Sequence, residues 1–211
     1  MTDTARQYRH LFDIYVPIAI GVFLVVLGFV AFAVIRYRWR PGREPRGRAE
    51  RSLLEGAYAL ALAAIVPVLL YFTFSTESKV DKLPQRPGLR VVVTAAQWNW
   101  RFFYPKYGIT QFSGTTRPGT LFVPSNTQVL FLIRSVDVIH SFWIPQMRIK
   151  KDAFPGATNK VGMVFSKPGV IESGVCAEFC GIHHADMLFK VRVLRPRAFD
   201  AWARSRQRTA A

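Results

Sequence analysis

Between Cys176 and Met187 the chain reads CAEFCGIHHADM. This segment holds both cysteines of the 211-residue chain, two of its four histidines and one of its four methionines. Thiolate, imidazole and thioether together are the ligand set of copper electron-transfer sites. A disulfide between Cys176 and Cys180 stays chemically open, since an external compartment permits one. Structural zinc draws four Cys or His ligands and has no use for Met187. A blue-copper centre takes a single thiolate. Two thiolates in one short loop can instead bridge two metal ions and let one electron spread over both. Such a site needs a second imidazole besides His184. His140, in VDVIHSFWIP, is the candidate, and His10, in the N-terminal arm, is a poor one.

The segments around these residues read as strands: Leu89–Ala95, Thr120–Pro124, Gln128–Arg134, Lys160–Phe165, Val170–Val175 and Met187–Leu194. β-Branched and aromatic residues dominate them, and Gly, Pro and Asn punctuate them. Short strands with no amphipathic helix between them predict a β-sandwich or barrel. The tail from Pro196 reads as a short helix ending in disorder. No internal repeat is visible.

The first 78 residues have a different character. Ile14–Ile35 and Gly56–Thr76 carry no charge, and about 20 such residues cross a bilayer as a helix. Neither run has the length and flanks of a cleaved signal peptide. Between them, Arg36–Arg51 holds seven arginines against Glu44 and Glu50, and basic short loops stay in the cytoplasm. The expected organisation is a transmembrane helical hairpin at 1–78, a polar linker at 79–88, a metal domain at 89–196 and a tail at 197–211. Both termini and the metal domain would lie outside a bacterial cytoplasmic membrane. Topology accounts for much of the formal charge of +16, so no nucleic-acid partner is expected.

Taken together, these residues resemble subunit II of the haem–copper cytochrome oxidases. The family pattern C-x-E-x-C-G-x-x-H-x-x-M is met by Cys176, Glu178, Cys180, Gly181, His184 and Met187, with His140 in the upstream D-V-x-H segment. The resemblance runs over roughly residues 10 to 195. It implies a cupredoxin-like Greek-key barrel behind the hairpin, and a binuclear copper centre, copper-A. Cys176 and Cys180 would bridge the coppers, and His140 and His184 would bind one each. Met187 would be a weak ligand to one, and the Glu178 carbonyl a ligand to the other. The Glu178 carboxylate would help hold a magnesium or manganese ion shared with subunit I. His183 matches no family ligand and is taken as a surface or supporting residue.

Further segments fit the same resemblance. Gln97-Trp98-Asn99-Trp100 matches the family's Q-W-x-W, whose first tryptophan receives the electron from cytochrome c, so Trp98 is the expected inlet. Trp100 reads as packing. Lys150-Lys151-Asp152 with Pro155-Gly156 and Asn159 matches a stretch lying on subunit I, although Ala157 stands where an arginine is common. Glu55, three residues before Tyr58, matches a glutamate at the mouth of a proton channel.

The implied function is the electron-receiving subunit of a terminal respiratory oxidase, which passes electrons to haem in subunit I for reduction of oxygen to water. Partners would be subunit I, the other oxidase subunits and an external cytochrome c or cupredoxin. Residues 77–195 carry sixteen Lys or Arg against seven Asp or Glu, and Arg101 to Lys106, following Trp98, contain no acid. Such a domain would repel a basic donor, so an acidic, neutral or tethered carrier is expected. Alternatives are the same module in a nitric oxide reductase, or a membrane-anchored copper delivery or storage protein. The latter leaves Trp98, Glu55 and the Glu178 carboxylate without a role.

Overall fold

In the computed structural model the described residues are 3–38 and 51–210. Most of the arginine-rich turn, positions 39–50, lies outside them. The chain divides into two compact units, residues 9–78 and residues 1–8 with 79–211.

The first unit is built from two helices, α1 (Asp3–Arg36) and α2 (Ser52–Val80), whose outer ends, residues 3–8 and 79–80, fall in the second unit. Each is continuous well beyond its apolar run, and α2 extends two residues into the expected linker. Their apolar windows have mean hydropathy 3.1 and 2.1, and none of the residues in them is buried among the described residues. Pro17 and Pro67 sit inside them, as membrane helices tolerate. The Tyr15 hydroxyl on α1 donates to the Leu69 carbonyl on α2 at 2.7 Å, the kind of interhelical bond that joins helices in lipid.

The second unit is a β-sandwich closed by a C-terminal helix. Its strands are β1 (Leu89–Ala96), β2 (Asn99–Tyr104), β3 (Ile109–Ser113), β4 (Gly119–Pro124) and β5 (Gln128–Ser135). The rest are β6 (His140–Ile144), β7 (Ile149–Ala153), β8 (Asn159–Val164), β9 (Gly169–Cys176) and β10 (Leu188–Leu194). One sheet runs β3-β2-β1-β5-β8 and the other β4-β10-β9-β6-β7. Pairing is antiparallel except for β1 with β5 and β4 with β10.

Alternation sets the faces. Val91, Val93 and Ala95 of β1, and Trp100, Phe102 and Tyr104 of β2, point inward and are fully buried. At the centre Phe142 and Phe189 stack with ring centroids 4.8 Å apart, and Trp100 meets both edge-on. The helix α3 (Pro196–Ala210) buries Phe199 and Ala203 and stacks Trp202 on Phe122. The tail is therefore helical to Ala210, longer than its sequence suggests.

Candidate metal centre

Two strand-end connections build the site. One is the turn from β5 to His140, the first residue of β6. The other is the loop from Cys176, the last residue of β9, to Met187, just before β10. The β6–β9 register sets Phe142 against Cys176, and the Ala177 N–H donates to the Ser141 carbonyl at 2.9 Å. The loop then closes on itself, with the Cys176 N–H donating to the Met187 carbonyl at 3.1 Å.

The donors converge as a chain of contacts. Cys176 Sγ lies 3.8 Å from His140 Nδ1 and 3.9 Å from Cys180 Sγ. Cys180 Sγ lies 3.6 Å from His184 Nδ1 and 4.0 Å from Met187 Sδ. The Glu178 carbonyl is 3.3 Å from Cys176 Sγ. His140, Cys176, Cys180 and Met187 are all buried. Both cysteines are free, at nearly twice the ~2.0 Å of a sulfur–sulfur bond. A nitrogen and a sulfur bound to one ion at ~2.0 and ~2.3 Å, near the tetrahedral angle, stand about 3.5 Å apart. The observed separations are those of co-ligands.

Electrostatics give the same result. Burial raises the Cys176 thiol, but hydrogen bonds from His140 and from the backbone of Ser141 and Glu178 outweigh it and hold it at about 6. Burial, and then the neighbouring Cys176 charge, push Cys180 up to about 12. Two sulfurs this close resist carrying two negative charges at once. A soft cation between them removes that conflict, because metal binding takes ligands in their deprotonated form. The donor set therefore fits a soft metal ion.

His140 is held from behind. Its Nε2 pairs with Asp137 Oδ1 at 2.9 Å, leaving Nδ1 toward the sulfurs. Burial lowers the imidazole, but Cys176 and Asp137 prevail and raise it. Asp137 is bolted in place by the N–H groups of Gln97 at 2.6 Å and Val138 at 2.7 Å, and by the Ser135 hydroxyl. Burial raises Asp137, yet these bonds hold it below the usual carboxylate range. Its role went unread in the sequence, although its position three residues before His140 was visible. Partners that orient a metal-bound imidazole are worth about 10–100-fold in affinity. Asp137→Asn is expected to hold a soft metal ion more weakly against a competing chelator by that factor, with the strands intact by circular dichroism.

Trp98 reaches the site through the main chain. Its Nε1–H donates to the Cys180 carbonyl at 3.1 Å, and the Gln97 side-chain amide donates to the same oxygen at 2.7 Å. Gly181 makes this possible: its φ is +119°, and a Cβ there would lie 3.1 Å from Trp98 Cζ2. Trp100 is buried and donates to the Met187 carbonyl at 3.3 Å, so it packs beneath the loop.

Not every expected residue gathers here. The Glu178 carboxylate turns away from its own carbonyl to Lys150, at 3.6 Å. Glu55 belongs to the helical unit, where its carboxylate accepts from the Arg51 N–H and closes the first turn of α2. His183 pairs with Asp186 at 3.2 Å and stands against Trp98. The surroundings of Trp98 differ from those read along the chain. Lys106 lies in the turn beyond the far end of β2, about 20 Å along a six-residue strand. Acids do approach, but Asp137 and Asp186 are each paired with a histidine.

The family model for the cytochrome c oxidase subunit II periplasmic domain matches residues 117–194. A probable cytochrome c oxidase subunit 2 of Rickettsia conorii is 30% identical over 97% of this chain and 69% of its own length. One of Streptomyces avermitilis is 31% identical over 95% of this chain and 75% of its own length. The crystal structure of the periplasmic domain of subunit II of the Bradyrhizobium japonicum oxidase superposes on 62% of this chain and all of that one. Its TM-score is 0.56 at 28% identity. Cupredoxin-like sandwich, paired apolar helices and the His–Cys–Cys cluster lead to one conclusion: the chain belongs to the cytochrome c oxidase subunit 2 family and is an oxidoreductase subunit of a terminal oxidase.

Proposed function

We propose that this subunit receives electrons from an external carrier at Trp98 and passes them, through a binuclear copper-A centre, to haem in subunit I. The observation that carries the reading is the convergence of His140, Cys176, Cys180, His184 and Met187 with the sulfurs buried. When bound, the copper pair supplies a one-electron relay whose charge is shared between two ions. The protein's own part is positional. Asp137 fixes the His140 ring, and the aromatic cluster around Trp100 and Phe142 keeps water from the sulfurs. The Cys180 peptide joins the Trp98 indole to a thiolate. Metal analysis of the oxidised chain is expected to give two coppers, with an electron paramagnetic resonance spectrum coupled to both. One copper with a mononuclear spectrum would overturn the assignment.

The partner faces follow from the same residues. The Glu178 carboxylate is a hard donor with an exposed neighbour in Lys150, suited to a magnesium or manganese ion completed by subunit I. It adjoins β7, an edge strand open to another chain. In the arrangement we propose, the metal domain lies outside the membrane and Glu55 stands at the mouth of a proton path into subunit I.

For the donor, we propose an acidic carrier, or one tethered in a larger complex. Cross-strand register places Arg101 and Arg134 on either side of Thr94, at 3.5 and 3.4 Å from its hydroxyl. Neither makes an ion pair among the described residues. Salt screens such charges over about 10 Å at 0.1 M. Turnover with an acidic cytochrome is therefore expected to fall as salt rises, and Arg101→Glu to weaken it while improving a basic donor. Fast low-salt turnover with a basic cytochrome, slowing as salt rises, would overturn this docking surface.

A further inference from the structure

His183 is one residue from a proposed ligand but is not aimed at the sulfurs. Its Nδ1 is occupied by Asp186 Oδ2 at 3.2 Å, and its side chain is half-exposed. The ring stands edge-on to Trp98, with centroids 4.9 Å apart and planes at 78°. Among the described residues no other aromatic ring is paired with Trp98.

The need for such a contact follows from the hydrogen bonds behind the indole. Trp98 donates to the Cys180 carbonyl, but Gln97 donates to the same oxygen over a shorter distance. If the indole swung away, that carbonyl would keep a partner. The heavy penalty of a stranded buried acceptor, which usually locks such a side chain, is therefore absent. Gly181 supplies a flat backbone surface on the inner side and no side chain to grip the ring. On the outer side there is His183. Asp186, at its i+3 position, bonds the imidazole across a single short turn, His184–Asp186, and so fixes the direction in which that ring presents its edge.

We propose that His183, braced by Asp186, is a positioning residue for electron uptake: it holds the Trp98 indole in one orientation over the Cys180–Gly181 peptide. This rests on Trp98 being the electron inlet. The residue acts through Trp98 and binds no metal itself. Edge-to-face packing prefers an aromatic at this position, so phenylalanine should substitute where alanine cannot.

The test uses the assembled oxidase and whichever reduced c-type cytochrome, acidic or basic, reduces it faster. His183→Ala is expected to lower the limiting rate of electron uptake about tenfold, as misplacement of a reacting group does, with KM and copper spectrum little changed. His183→Phe should restore most of the rate. A second readout needs no metal. In the detergent-solubilised copper-free chain, the Trp98 indole N–H, identified by its absence in Trp98→Ala, should exchange slowly with solvent in the wild type and His183→Phe. It should exchange fast in His183→Ala. If Trp98→Ala slows uptake while His183→Ala changes neither rate nor exchange, the positioning role is wrong and the inlet stands. A changed copper spectrum in His183→Ala would place the residue at the metal and overturn the proposal. If Trp98→Ala is itself as fast as the wild type, the inlet reading falls and this proposal with it.

Discussion

Trp98→Ala is expected to slow electron uptake from the carrier by about 100-fold or more, the scale of loss when a reacting group is misplaced by about 1 Å. Removing the indole opens a gap of several ångströms between the protein surface and the Cys180 carbonyl it now touches. The copper spectrum should not change, because Gln97 still donates to that carbonyl and every proposed ligand is untouched. Trp98→Phe separates two contributions: it keeps a ring against His183 but loses the indole N–H. An intermediate rate would show that the hydrogen bond to Cys180 matters in its own right. Uptake by Trp98→Ala at the wild-type rate, measured by stopped flow at saturating donor, would mean that electrons arrive elsewhere.

The second large effect separates a residue that builds the centre from one that tunes it. Cys180 is 3.9 Å from Cys176, 3.6 Å from His184 and 4.0 Å from Met187, so it lies beside each of the other proposed side-chain donors of its loop. On the copper-A reading proposed above, Cys180→Ser replaces a soft sulfur with a hard oxygen and is expected to abolish the coupled two-copper spectrum and with it oxidase turnover. Met187→Leu should keep two coppers and shift the reduction potential, because a weak axial thioether adjusts such sites. It is also nearly volume-conserving, a swap that usually costs under about 1.5 kcal/mol in a buried position. Equal loss of copper in both variants would show that Met187 is structural to the site.

The grouping of the candidate donors was largely legible in the sequence, and their support was not. Cys176 to Met187 is one short loop, so spacing carries its ligand set, and His140 followed from the need for a second imidazole. Asp137 and Gln97 act through atoms brought together by folding: an aspartate before β6 bonds the amide that follows β1. Nothing local in either segment announces that bond. The same limit explains Lys106, two residues past the end of β2, which has carried the chain far from Trp98. Strands were read where β-branched and aromatic residues dominate, as in β1 and β5. They were missed where polar residues interrupt the run, as in the edge strand β7, whose Lys150 and Lys151 blunt a free edge. The parallel pairing of β1 with β5 could not be read either, because register belongs to two segments at once.

That pairing has a consequence for how the protein is made. Leu89 pairs beside Val129, and Gly119 beside Phe189, so both parallel contacts close loops of dozens of residues. Domains dominated by such non-local contacts fold in milliseconds to seconds rather than microseconds. His140 and the loop from Cys176 to Met187 meet only after β6 has found β9. The complete donor set therefore exists only once these two strands have paired, because His140 comes from β6 and the other side-chain donors from the loop after β9.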